Sequence, residues 1–275
     1  MEEYKLSVND KTFQIADSPG RKGTIVSIHG LTGNHKNMYY FQHAFSPEYR
    51  FISYDLRGRG NSSDLDEDTS IERHAEDLLA LLEVMDIESP ILLGHSMGAY
   101  IAAIVAGERS DVKALILLDG VAEASNHQRN IVLPSLSRLS KSYESPESYT
   151  IELKNIYSTL GVEWSEVMES IASYEIEKKN NRWQHKSEVE LVRKDFESFY
   201  RFDIKKVCET IDCKTLLVEA TGSIGEHPPL FLEKDFYLTK KYICDLQTIK
   251  SACNHYTMVF HNNRHMNHSI SEFLK

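Results

Sequence analysis

Cysteine is scarce. The chain of 275 residues has four, Cys208, Cys213, Cys244 and Cys253. None forms a CxxC pair and each sits in or beside an apolar run, so a disulfide framework is excluded and buried free thiols in a reducing cytoplasm are expected. Basic charge is also short. Lys and Arg number 31 against 41 Asp and Glu, a net charge of −10, which argues against nucleic acid and anionic membrane surfaces as partners. No apolar run approaches the roughly 18 residues that span a membrane. The N-terminus, MEEYKLSVND, lacks the apolar segment of a signal peptide, and a cytoplasmic location is expected. No repeat or low-complexity tract is visible. Hydrophobic residues at 41% and charged residues at 26% exclude disorder and fibre. What remains is a soluble globular chain, long enough for one or two domains and for a core without staples.

The first half of the chain alternates apolar, β-branched runs with helical patterns. Residues 4–9 and 12–16 read as a hairpin around Asn9-Asp10-Lys11. Thr24–His29, Arg50–Asp55, Pro90–Leu93 and Ala114–Leu118 read as strands buried on both faces. Between them, residues 70–85 carry an amphipathic helix, with Asp68 or Thr69 as N-cap and Glu72 placed for a capping box on Thr69. Residues 97–107 form an Ala-rich buried helix. This order predicts an α/β fold: a mostly parallel central sheet, flanked by helices, with right-handed crossovers. From Val121 to Thr210 the rhythm breaks. Helical patterns appear at Ile151–Leu160, Val167–Tyr174 and Val189–Phe199, and no convincing buried strand. Alternation resumes with a strand at Lys214–Val218, a helix near 230–240, a last strand at Tyr242–Ile249 and a helix from Arg264. Residues 1–120 and 211–275 are therefore expected to form one core, and residues 121–210 an inserted helical lid or cap.

The strongest chemical signal is Gly94-His95-Ser96-Met97-Gly98. A G-x-S-x-G match arises by chance in about one chain in ten of this length, but here it follows an apolar strand and opens a helix, the setting of a nucleophile elbow. The sharp turn would hold Ser96 with its hydroxyl above the strand ends, at a helix N-terminus that favours developing negative charge. An oxyanion hole needs two backbone N–H groups aimed at one point. Met97 supplies one by position, and Leu31, in the loop His29-Gly30-Leu31-Thr32-Gly33, is the candidate for the other. His29 is read as packing that loop. A serine hydroxyl needs a neighbouring imidazole to take its proton, and His255, in the loop after the last strand, is the candidate. His261, His265 and His268 share a helical spacing, but no HExxH pattern accompanies them and they are read as a solvated terminal helix. No metal or cofactor is called for.

With HGLTG (29–33), DLRGRGNS (55–62), GHSMG (94–98), LLDG (117–120) and NHYTM (254–258) in this order, the chain resembles the α/β-hydrolase fold superfamily. The resemblance implies a Ser-dependent hydrolase with Ser96 as nucleophile and His255 as general base. It also leaves a gap, because the family's usual Asp after the strand at 214–218 is missing from Glu219–Pro228. Two carboxylates remain. Asp119 ends the preceding strand, 23 residues after Ser96, and a helix plus a strand returns the chain to the same sheet edge; it is preferred. Glu226, in the loop where the usual Asp is absent, is the alternative. Asp55, Arg57, Gly58, Gly60 and Ser62 are read as a structural turn tied by charge-assisted hydrogen bonds. The expected partner is a small-molecule substrate with an ester, lactone, amide or related carbonyl bond. C–C bond (β-diketone) hydrolysis, a ligand receptor on this fold and a cofactor-free perhydrolase activity are the alternatives, and the oligomeric state is left open. Ser96 argues against the dehalogenases and epoxide hydrolases of the fold, which need Asp there. Tyr143, Tyr149, Tyr157, Trp164, Tyr174, Trp183, Phe196 and Phe199 of the insertion are read mainly as its own packing.

Overall fold

The computed structural model describes residues 1–64 and 66–275. β1 (Glu2–Val8) and β2 (Lys11–Ser18) form the expected antiparallel hairpin. β3 (Thr24–Ile28), α1 (Tyr39–Phe45), β4 (Arg50–Tyr54), α2 (Ile71–Val84), β5 (Ile91–His95), α3 (Met97–Glu108) and β6 (Ala114–Leu118) then alternate. The stretch that follows holds α4 (Asn126–Leu136), β7 (Ser142–Tyr143), α5 (Pro146–Thr159), α6 (Glu166–Glu175), β8 (Ile176–Lys179), β9 (Arg182–His185), α7 (Val189–Ser198) and α8 (Ile204–Cys208). β10 (Thr215–Ala220), α9 (Tyr237–Tyr242), β11 (Leu246–Ser251), α10 (Thr257–Phe260) and α11 (Arg264–Phe273) complete the described residues.

The main sheet runs β1-β2-β4-β3-β5-β6-β10-β11. Pairings from β4 through β11 are parallel, and the hairpin adds an antiparallel edge. Helices cover both faces, which is why an inner strand such as β6 (ALILL) is apolar at successive positions rather than at alternate ones. Along β6, Leu115 and Leu117 join the core on one face, while Ala114, Ile116 and Leu118 join the core on the other. The strand order reverses at β3. The chain leaves β3 toward β4 on one side, then returns to β5 on the other. A crevice opens beyond the strand ends at such a switch point, here between the loop after β3 and the start of α3.

Several boundaries differ from expectation. α2 is capped by Ser70, whose hydroxyl accepts from the Arg73 amide at 3.3 Å. Neither Asp68 nor Thr69 is the N-cap. The Thr69 hydroxyl turns inward instead and donates to Asp195 at 2.5 Å. The expected helix near 230–240 is a 3-10 turn over 233–236 that continues into α9, so Tyr242 ends a helix and the last strand begins at Leu246. Within residues 121–210 the three helical patterns fall on α5, α6 and α7, but the stretch also holds a small sheet, β7-β9-β8. β8 and β9 turn at Asn180 and Asn181, both at positive φ, a hairpin signal whose flanks (IEKK, RWQH) are too polar to read as strands.

Two buried carboxylates join this stretch to the sheet-bearing part. Asp195 of α7 accepts from Arg59 Nη2 at 2.7 Å and His74 Nε2 at 3.0 Å. Asp55, just past β4, accepts at 2.5 Å from the Tyr174 hydroxyl of α6, and from the His35 and Asn61 amides. The turn at 55–62 thus has the structural ties expected of it: Arg57 pairs with Asp66 and Asp77, and the Ser62 hydroxyl donates to the Asp55 carbonyl. Arg59, which sequence reasoning passed over, is buried at its centre. The four cysteines are free thiols; Cys208 is buried, but Cys244 is exposed, contrary to the expectation that all would be covered.

Candidate active site

Ser96 sits between β5 and α3 at φ 54° and ψ −120°, a conformation that costs an L-residue roughly 1–3 kcal/mol and persists only where the surroundings over-determine it. The surroundings do so. The Ser96 amide donates to the Leu118 carbonyl of β6 at 3.0 Å, and its carbonyl accepts from Ala99. The two glycines of the motif are required by close approach: a Cβ on Gly94 would stand 2.1 Å from the Gly98 carbonyl oxygen, and one on Gly98 would stand 2.2 Å from that of Ile28. The first turn of α3 therefore presses against the ends of β5 and β3.

His255 lies in the loop after β11. Its Nδ1 donates to Oδ2 of Asp119 at 2.7 Å, and Oδ1 of Asp119 accepts from the Ala220 amide at 3.0 Å. Asp119 follows β6, at φ 45° and with no exposed surface. Burial pushes the His255 imidazole toward its neutral form. Burial also raises the Asp119 carboxyl, and the Ala220 amide works against that rise. With Nδ1–H committed to the carboxylate, the Nε2 lone pair is left to the cavity; among the described residues no protein group takes it. The His255 carbonyl accepts from His95 Nε2 at 3.0 Å. Asn254, which sequence reasoning missed, holds the loop on four sides: its Oδ1 accepts from the Tyr256 and Thr257 amides, and its Nδ2 donates to the Leu160 and Ser223 carbonyls. Glu226 is exposed within a turn bridged at Ile224 and His227. It makes no hydrogen bond to His255, so the structure places Asp119, not Glu226, against the imidazole.

The two amides proposed for an oxyanion both remain available. Met97 opens α3, where N–H groups have no intrahelical partner, and among the described residues neither its amide nor that of Leu31 donates to a protein acceptor. The Leu31 amide is aimed indirectly. The Gly30 carbonyl, in the same planar peptide, accepts from His29 Nδ1 at 2.7 Å and from the Gly33 amide at 3.0 Å. Holding that oxygen fixes the direction of the Leu31 N–H on the opposite side of the peptide plane. His29 Nε2 in turn accepts from the Leu56 amide at 3.0 Å, which assigns the proton to Nδ1, and burial lowers this ring to about 3. His29 therefore does more than pack the loop.

Ser96, His255, His95 and the Gly30–Gly33 loop line one cavity that opens to solvent. Its other walls are mostly apolar and come largely from the stretch after β6, including Val132, Ile156, Tyr157, Leu160, Phe196 and Phe199. Of the aromatic residues named from sequence, Tyr157, Phe196 and Phe199 reach it. Tyr143 and Tyr149 stack edge to face on each other at 5.1 Å. His261 precedes α11 rather than sharing its face and accepts from the Glu163 amide, while His265 and His268 are exposed.

The family model of the alpha/beta hydrolase fold matches residues 23–269. The AB hydrolase superfamily protein YisY of Bacillus subtilis is 38% identical over 109 residues, 38% of this chain and 40% of that protein. The (E)-2-((N-methylformamido)methylene)succinate hydrolase of Acinetobacter baylyi is 27% identical over 141 residues, 48% of this chain and 54% of that protein. The chain thus matches about half, or less, of the length of these curated relatives. The crystal structure of E-2-(acetamidomethylene)succinate hydrolase superposes with a TM-score of 0.86 over 99% of this chain and 98% of that one, at 16% identity, a likeness of fold.

Proposed function

Since the chain belongs to the alpha/beta hydrolase fold family, we propose that it is a serine-dependent hydrolase that cleaves an ester, amide, lactone or related carbonyl bond of a small molecule. One observation carries this reading: an imidazole tied at 2.7 Å to a buried carboxylate shares a cavity with a serine held at positive φ on a strand-to-helix turn. Ser96 Oγ attacks the carbonyl carbon as His255 Nε2 takes its proton. Asp119 keeps the ring in the Nδ1–H tautomer and stabilises the imidazolium without itself becoming protonated. The oxyanion of the tetrahedral intermediate receives the Leu31 and Met97 amides, each such donor being worth roughly 10²–10³ in rate. Collapse expels the alcohol or amine, which takes the proton from His255. Water then attacks the acyl-enzyme, with His255 as its base. Residues 121–210 act as a cap, because their helices wall the cavity that must exclude bulk water.

Activity-based labelling tests the nucleophile. A fluorophosphonate is expected to label the wild-type protein and not Ser96→Ala, and short p-nitrophenyl esters to be hydrolysed only by the former. Equal labelling or equal turnover by Ser96→Ala would overturn the assignment. A panel of ester, amide and lactone substrates then identifies the bond.

A further inference from the structure

One side chain of the cavity wall does not fit its apolar setting. Arg138, on the 3-10 turn over 137–140 that follows α4, lines the same cavity as Ser96 and His255 although only 5% of its surface is exposed. A buried guanidinium is costly unless its donors are engaged. Here one nitrogen alone is used: Nη1 donates to the Tyr149 hydroxyl at 3.0 Å and lies 3.5 Å from Glu175 Oε2, beyond a good hydrogen bond. The Glu175 carboxylate is itself engaged by that same hydroxyl, which donates to it at 2.5 Å. Among the described residues, no acceptor meets Nε or Nη2 of Arg138, and neither is among the fully buried polar atoms that lack a partner. Arg138 lines the cavity, so these two donors are the ones left for an acceptor bound there. The Nε–Nη2 edge is the planar fork that takes a carboxylate bidentately.

We propose that Arg138 is a specificity-determining residue and that the substrates of this site are acyl compounds carrying a carboxylate apart from the scissile carbonyl. This rests on the Ser96 reading above for turnover, though not for binding. Tyr149 holds the guanidinium from behind through Nη1, and the open edge receives the substrate's carboxylate. The scissile carbonyl is then placed toward Ser96 across apolar walls that suit the linking hydrocarbon.

The test pairs charged and neutral substrates of equal length: p-nitrophenyl monoesters of dicarboxylic acids from glutarate to suberate, and the corresponding neutral alkanoates, with spontaneous hydrolysis subtracted. Wild type is expected to prefer at least one charged ester by about 10- to 100-fold in kcat/KM, the range of a charge-assisted hydrogen-bonded contact. Arg138→Met should abolish that preference through the KM of the charged series, while Arg138→Lys restores part of it. Glu175→Gln, which removes the competing carboxylate, should strengthen the preference; a merely structural Arg138–Glu175 pair predicts equal losses on both series. Calorimetric binding of adipate to wild type and to Arg138→Met separates the two readings. Binding by wild type that Arg138→Met loses, without turnover of any ester, sustains the carboxylate subsite and defeats the Ser96 reading. Turnover of neutral esters by a wild type that neither prefers charged esters nor binds adipate overturns the subsite and leaves Ser96 standing. Should Arg138→Met fail to fold, the wild-type preference and the Arg138→Lys and Glu175→Gln variants decide alone.

Discussion

Replacing Asp119 by Asn changes one atom and tests the centre of the proposed mechanism. The two carboxylate oxygens face different donors, His255 Nδ1–H at 2.7 Å and the Ala220 amide at 3.0 Å. An Asn side chain has one acceptor and one donor end, and no orientation satisfies both. With its oxygen on Ala220, its NH₂ faces His255 Nδ1. The ring must then accept there and carry its proton on Nε2, so the nitrogen facing the cavity can no longer take a proton from Ser96. With the amide flipped, His255 keeps the working tautomer, but two N–H donors meet at Ala220 in a site with no exposed surface, at a cost of about 1–3 kcal/mol. That cost favours the inactive orientation by a factor of roughly 5–150. Even the flipped fraction has no negative charge to stabilise an imidazolium. The expected result is a fall in kcat on p-nitrophenyl esters of roughly 10⁴, the size seen for this substitution in a serine-protease triad, with KM little altered. Glu226→Gln, measured in parallel, should lie within about twofold of wild type, because Glu226 is exposed and makes no contact with the ring. An Asp119→Asn protein that folds and keeps kcat within threefold would refute the assignment.

Three further outcomes follow from the buried polar groups. His29→Phe removes the donor that holds the Gly30 carbonyl, so kcat should fall about 10- to 100-fold with little change in KM, bounded by the worth of one oxyanion donor; unchanged kcat would show that the Leu31 amide is aimed by other contacts. Asp195→Ala leaves the Arg59 guanidinium buried without its carboxylate, and chemical denaturation should show a loss of about 3–5 kcal/mol, whereas a loss under 1 kcal/mol would mean that this joint contributes little. The rings of His29 and His95 are each lowered to about 3 by burial. The unfolded chain therefore binds protons below pH 6.5 that the folded chain does not, and stability present above pH 6.5 is lost as pH falls. Each ring accounts for about 1.4 kcal/mol between pH 7.5 and 5.5; the raised Asp119 carboxyl opposes this in the same window, so the fall is read in Asp119→Asn, and denaturation midpoints of that variant that coincide at the two pH values would contradict it.

How much of the molecule could be read in advance depends on the range of the interaction. The inner strands were legible because burial on both faces leaves a local mark, a continuous apolar run such as ALILL at Ala114–Leu118, with its residues divided between two cores. The elbow was legible because its glycines are dictated by contacts within one strand–helix unit. The cap of α2 was misplaced because three candidate residues stand in a row, and what removes Thr69 from the choice is a hydroxyl contact with Asp195, 126 residues away. The strands β8 and β9 were missed because polar hairpins of four residues carry no burial pattern at all.

The site divides the same way. Ser96 carries a motif, whereas His29, Asn254 and Arg138 act through partners that only the fold supplies. Arg59 makes the reason plain. Its Nε donates to the Leu31 carbonyl at 2.9 Å, and its Nη2 donates to Asp195 at 2.7 Å. One guanidinium thus fixes the loop that carries the amide proposed for the oxyanion and, through α7, the stretch that walls the cavity. In the sequence it is one of two arginines in a turn, and nothing local distinguishes it from Arg57, which pairs with Asp66 and Asp77 nearby in the chain. The difference lies in what each reaches. A buried polar residue has its role set by partners distant in sequence, so a chain read alone reveals where chemistry can start and leaves hidden the contacts that aim it.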